Sequence, residues 1–386
     1  LYGWQLAVIV ILVNIFKYPF FRFGTQYTLE RKKSLIEGYE EKGKIYLWVF
    51  FIMNIFSAII NIAAVGILTA AILANILKLT VLPSLTPAAM ASMINMLTTI
   101  VLVGSLAMMI FGGYKLLDSS SKFIVVSLTV ATVIAVVIAM FKHHPMAPNF
   151  VAPSPWKLKA LPFIISLMGW MPAPIEISAI NSMWVVAKRR LTKVSYEDGL
   201  FDFNVGYIGT AILAVVFLAL GALVQYGSPE TVEMVGGKYI AQLINMYAST
   251  IGEWSRLLIA VIAFMCMFGT TITVIDGYSR TNVESLRILF GKQESSVRIL
   301  NIGMIFAALS GLAIIFYFNN AVGPMLKFAM IASFVSAPIF AWLNLSLTKH
   351  AKHSVKGGLL WLSLIGLFYL TAFAGLFIAQ QAGWLN

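Results

Sequence analysis

The sequence predicts an all-α polytopic membrane protein, and three observations carry that reading. Of its 386 residues, 60% are hydrophobic and only 11% charged, at a mean hydropathy of +0.89, whereas soluble domains hold about 45–50% apolar residues. The apolar residues gather into about ten runs, most of them near the roughly 20 residues that a helix needs to cross a bilayer. Lys and Arg sit in short clusters between those runs, which turns a formal net charge of +12 into the positive-inside pattern of a membrane protein. That pattern argues against nucleic acid as a partner and for the lipid bilayer.

Taken in order, the first span covers 1–23 and closes in KYPFFRFG; Gln26 to Lys44 is a polar, mostly basic connection. The second span, 45–73, carries Asn54 and Asn61, and the third covers 89–111 after a Pro-bearing loop. GGYKLLDSSS reads as a short turn into the fourth span, 123–141. The fifth, 161–186, is interrupted. The sixth is 204–224, after which Tyr239 to Tyr247 shows helical spacing of apolar residues and reads as a surface helix. The remaining spans are 257–275, 299–318, 322–347 and 359–379, so that 1–386 forms a single transmembrane domain. The lone cysteine, Cys266, lies inside an apolar run, so no disulfide forms within the chain. Leu1 opens directly into a span with no signal-peptide pattern, and the natural N-terminus is expected upstream.

The fifth span, LPFIISLMGWMPAPIEISAINSMWVV, departs most from an ordinary membrane helix. Pro172 and Pro174 lack amide hydrogens and push the residues before them out of the α region, so the helix is expected to unwind from Gly169 to Pro174. Bare amides and carbonyls are tolerated in lipid only against protein or a wet cavity, which places a binding site at this break. Glu176 lies just beyond. Two roles stay open for it: a ligand, cation attractor or proton carrier, or a carboxylate near N3 of the inner half-helix, with Pro174 as the first helical residue.

Charge orients the bundle. Connections after the first, third, fifth, seventh and ninth spans hold nineteen of the 27 Lys and Arg residues, the opposite connections six, so the first set is expected in the cytoplasm. The chain then begins outside. One further span upstream of Leu1 would give groups of five, five and one, with the broken helix sixth. That is the leucine-transporter plan of two inverted five-helix repeats, its first helix missing from this chain.

GWMPAPIE in the broken span, FGTTITVIDG in the seventh and GGYKLLD after the third resemble segments of NRAMP-type divalent metal transporters (natural resistance-associated macrophage proteins). KYPFFRFG and FDFNVGYIG are similar to a divergent NRAMP-like bacterial branch. The resemblance covers essentially the whole chain and implies a multi-pass protein of the cell membrane, in bacteria the inner membrane. It also implies a site. The family's Met-Pro-His run, whose Met sulfur touches the metal together with a carbonyl three residues earlier, falls here on Met171, Pro172 and Ala173, with the carbonyl on Met168. A thioether favours manganese or iron over harder ions. The histidine is gone, and the two carboxylates that receive the proton in the family fall on Asn61 and Ala64. The resemblance also brings Thr270 and Thr271 near the substrate path, and Gly169 and Glu176 complete the set of candidate binding residues; from the residues alone, Thr270, Thr271 and Thr273 could equally hydrogen-bond their own helix.

Other polar residues read as structural: Lys17 lies near a cytoplasmic helix end and can snorkel. Lys327 sits less comfortably in its span, and His143 and His144 form a weak outer-loop pair. No Walker-type loop is present, no cofactor is implied and no enzymatic activity is expected. A divalent metal ion enters as substrate. Three classes follow: a divalent metal transporter without the family's proton coupling, a same-fold transporter of a small organic solute such as an amino acid or carboxylate, and a non-transporting sensor or subunit.

Overall fold

The computed structural model describes residues 1–79, 86–111, 114–142, 146–191, 193–228, 236–291, 296–317, 322–348 and 355–385. Among them the chain is helical, in the order α1 (Ala7–Arg31), α2 (Leu35–Lys42), α3 (Lys44–Ile76), α4 (Pro87–Ile110), α5 (Tyr114–Phe141), α6 (Leu161–Gly169), α7 (Ile177–Leu191), α8 (Tyr196–Val224), α9 (Gly236–Ile251), α10 (Ser255–Leu289), α11 (Val297–Tyr317), α12 (Val322–Thr348) and α13 (Gly358–Gln381). Eight of the described helices are long and apolar enough to cross a membrane, and α5 and α6 add shorter apolar stretches.

Local chemistry sets several of the ends. Thr86 caps α4, its hydroxyl accepting from the Ala89 amide at 3.2 Å, with Pro87 in the first turn where its missing N–H costs nothing. Ser195 caps α8 in the same way through the Asp198 amide at 3.0 Å. Ser34 and Glu37 form a reciprocal capping box that starts α2.

The polar pattern is that of a protein in oil. Phe306, Trp361 and Phe368 stand exposed on the outside, while Asn14, Lys17, Asn54, Asn61, Glu176, Asp276 and Asn344 are buried within. In lipid, polar side chains are stable only where the bundle supplies partners. Asn344 illustrates this. Its amide donates to the Phe20 carbonyl of α1 (2.9 Å) and the Ser178 hydroxyl of α7 (2.7 Å), and its oxygen accepts from Tyr39 of α2 (2.5 Å). Around the break, α6 packs on α12 and α13, and α7 on α1 and α10; α3 lies against α10, α11 and α12.

The polar connection from Gln26 to Lys44 is largely helical: α1 runs on to Arg31 and α2 follows. Other expectations are corrected. Within GGYKLLDSSS the described residues are helical and not a turn, since α5 begins at Tyr114. The segment holding Tyr239 to Tyr247 is not a surface helix either: α9 buries Ile240, Ile244, Tyr247 and Ala248 against α3, α5 and α10. His143 and His144 lie outside the described residues.

Candidate functional site

The α-helix stops at Gly169 and resumes at Ile177, leaving Trp170 to Glu176 outside α-helix. Pro172 and Pro174 supply the cause, and the Met171–Pro172 peptide is cis. A second constraint fixes where the chain turns. A Cβ on Gly169 would lie 1.8 Å from the Met330 carbonyl oxygen of α12, so only glycine lets the two backbones approach this closely.

Ending a helix leaves its last carbonyls without amide partners and with the negative end of the helix dipole. Lys17 meets them. From the middle of α1, and with 0% of its surface exposed, its Nζ donates to the carbonyls of Met168 (2.6 Å), Gly169 (3.1 Å) and Ala173 (3.3 Å). The Phe334 ring lies 6.0 Å from the same nitrogen. This overturns the snorkelling expected of Lys17: α1 extends well past it in both directions, so the side chain has no nearby interface, and the unsatisfied carbonyls of α6 are within reach. Lys327, by contrast, stands exposed on α12.

A second network joins the break to α3, α10 and α12. The Tyr278 hydroxyl donates to Oε1 of Glu176 at 3.1 Å and accepts from Nδ2 of Asn61 at 3.1 Å. Asn61 also donates to the Ser57 carbonyl (2.8 Å) and accepts at Oδ1 from the Trp170 indole (3.0 Å), which reaches the Ser333 hydroxyl at 3.3 Å. Beside this network is a cavity of about 90 Å³ lined by Ser57, Asn61, Ser333 and Ser336 among others. Glu176 is buried, and its Oε2 makes no hydrogen bond. It stands immediately before α7, not at N3, because the helical ladder begins at Ile177 and not at Pro174.

Of the sequence-derived candidates, the fold gathers Met168, Gly169, Ala173, Glu176 and Asn61 around the break, with Met171 and Pro172 half-buried within it. Met168 contributes its carbonyl to Lys17, and its sulfur accepts from the Tyr369 hydroxyl at 2.9 Å. Thr270 and Thr271 stand apart. Their hydroxyls return to the carbonyls of Cys266 and Met267 in α10, both at 2.9 Å, and Thr271 meets Thr69 of α3. Thr271 lies seven residues before Tyr278, about 10 Å along the helix. Ala64 is buried in the core. Among the described residues no group of three or more His, Cys, Asp or Glu side chains could hold a metal ion. Sequence reasoning passed over Tyr278, Trp170 and Ser333, whose roles depend on contacts across the bundle.

Comparison with known proteins fits this architecture. The uncharacterized protein PM0681 of Pasteurella multocida (strain Pm70) is 67% identical over 389 residues, spanning 100% of this chain and 87% of that protein. The chain belongs to its family. That family has a bacterial member, and no protein-family model matches the chain. Among solved structures, three variants of the Eremococcus coleocola manganese transporter superpose with TM-scores of 0.63–0.64 over 98% of this chain and 80% of theirs, at 10% identity. These solved structures are of a transporter, not an enzyme, and the likeness is one of fold: the NRAMP-type resemblance in the sequence extends to the architecture.

Proposed function

We propose that this chain is a secondary transporter that carries a small cation, a divalent metal ion in the first instance, across a bacterial inner membrane without the proton relay that the NRAMP resemblance would bring. The observation that carries this reading is the convergence of the Met168, Gly169 and Ala173 carbonyls on one positive charge at the interruption between α6 and α7. Carbonyl oxygens released from a helix are the ligands that broken membrane helices offer to cations. The fold shared with a manganese transporter supports it, and Met171, three residues after Met168, would add a soft thioether ligand. The proton positions read Asn61, whose amide is held in hydrogen bonds, and two alanines, Ala64 and Ala173. None of these side chains ionises near neutral pH.

One observation favours the alternative, a small organic solute such as an amino acid or carboxylate: the buried ammonium of Lys17 is a counter-ion for a carboxylate. Against it, the Met168, Gly169 and Ala173 carbonyl oxygens at the break complement a cation and not a carboxylate. The deciding experiment is uptake into proteoliposomes. Manganese and cadmium are expected to enter, and Met171→Ala is expected to slow them far more than magnesium or calcium. Vesicles that admit none of the four ions, but accumulate an amino acid or dicarboxylate, would replace the cation reading with the alternative.

A further inference from the structure

An ammonium carries three N–H donors, and the Lys17 nitrogen has three carbonyl acceptors, two from the last turn of α6 and one from Ala173, between the two prolines. Nothing else on the described chain engages those three carbonyl oxygens together. The arrangement is that of a cation stripped of water and held by backbone oxygens, except that this cation is attached to α1. The Phe334 ring closes another side and complements positive charge with its π-face.

We propose that Lys17 is a tethered cation that fills the backbone site when no ion is carried and is displaced by the arriving ion. This rests on the cation-transport reading above and goes beyond it. Two positive charges cannot share the same three carbonyls: their mutual repulsion in a buried site is strong, so occupation by one excludes the other. The displaced ammonium has a destination. Glu176, three residues past Ala173, is buried, and its Oε2 is without a hydrogen-bond partner. The carbonyls then hold a cation in every state, carried or tethered. A transporter built this way resets its empty site with its own side chain, which is the step for which a co-transported proton would otherwise be needed. The neutral residues Asn61, Ala64 and Ala173 are consistent with that economy.

The test uses the full chain in lipid nanodiscs, comparing wild type with Lys17→Met and Lys17→Gln. Two quantities are measured: the thermal unfolding midpoint in ammonium, potassium or choline chloride at equal ionic strength, and Mn²⁺ affinity by electron paramagnetic resonance. Both variants are expected to unfold earlier than wild type in choline, to recover in ammonium or potassium, and to bind Mn²⁺ roughly tenfold more tightly, a coupling of ordinary allosteric size. Absence of cation recovery together with unchanged Mn²⁺ affinity overturns the tethered cation and leaves the transport reading standing. Recovery by ammonium in a protein that binds neither Mn²⁺ nor Cd²⁺ upholds the tethered cation and removes the metal-transport reading. If neither variant folds, the wild type decides through the ¹⁵Nζ resonance of Lys17: a shift on saturation with Cd²⁺ supports displacement, and an unmoved signal under saturation refutes it.

Discussion

Replacing Gly169 with alanine puts the packing of the interrupted helix to a direct test. The added Cβ would stand 1.8 Å from the Met330 carbonyl oxygen, and that separation must open to at least 3.0 Å, the limit below which real Cβ atoms are essentially never found. Met330 cannot yield by turning a side chain, because the obstructing atom is backbone within α12. Either α6 moves off α12 or the chain at the break twists, and both pull the Met168 and Gly169 carbonyls away from Lys17. Overpacking a well-filled core costs about 1–3 kcal/mol, and a clash against backbone belongs at the upper end, about 3 kcal/mol. Gly104→Ala in α4 is the matched control. Its Cβ meets nothing within 4 Å, so alanine there should be neutral or stabilising by about 0.5–1 kcal/mol. Unfolding of both variants in one detergent, followed by circular dichroism against denaturant, reads the difference. A Gly169→Ala protein as stable as wild type, with manganese binding intact, would show that the close approach of α6 to α12 does not hold the break in place.

Tyr278→Phe removes the hydroxyl that bridges Asn61 and Glu176 and should lower stability by about 1–3 kcal/mol, the cost of leaving buried polar atoms unmatched; a change under about 0.5 kcal/mol in the same denaturation assay would argue that the bridge is dispensable. Lys33, just before α2, pairs with Glu41 near the end of that helix. The hydrogen bond from Lys33 holds the Glu41 carboxyl below the usual carboxylate range, and the hydrogen bond to Glu41 raises the Lys33 ammonium. Their contribution is therefore present between those limits and is lost as pH falls through the depressed Glu41 pKa or rises through the raised Lys33 pKa; with both groups half-exposed it is at most about 1 kcal/mol. Lys33→Met should accordingly lower the midpoint slightly at pH 7 and leave it unchanged in acid below the depressed Glu41 pKa, and an equal loss under both conditions would point to lost packing of the lysine stem. In vesicles holding a pH-sensitive dye, manganese entry should proceed without obligatory acidification. Acidification that survives collapse of the membrane potential and disappears in Glu176→Gln would make Glu176 a proton carrier.

What the residues reveal on their own divides by the range of the interactions involved. The apolar runs announce the long helices because lipid demands the same property of every position along them, and Pro172 and Pro174 mark the end of α6 because their effect on the backbone is local. The Ser34–Glu37 box that starts α2 is local as well, but from the sequence the stretch reads only as a polar, mostly basic connection. Tyr239 to Tyr247 has helical periodicity, yet whether a short amphipathic helix lies on the surface or beneath neighbouring helices depends on what α3, α5 and α10 present to it. Lys17 is the extreme case. Its partners lie more than 150 positions away, and the sequence shows only a lysine in an apolar run, which fits a snorkelling side chain as well as a buried one. The same holds for Tyr278, whose place between Asn61 and Glu176 exists only once α3, α10 and the break have come together.

The Asn344 junction bears on the order in which the protein is made. Tyr39 and its partner Asn344 are 305 positions apart, and Phe20 and Asn344 are 324 apart. Chains are synthesised at about 5–20 residues per second, so α1, α2 and α7 wait roughly 15–60 s, or part of it, in or beside the membrane before the amide that joins them has been made. Throughout that interval the Tyr39 and Ser178 hydroxyls lack their final partner, and water, lipid headgroups or the insertion machinery must serve them. The amino-terminal helices of this protein are thus completed by α12, one of the last to arrive, and any nascent chain released before residue 344 carries an unfilled polar pocket in its interior.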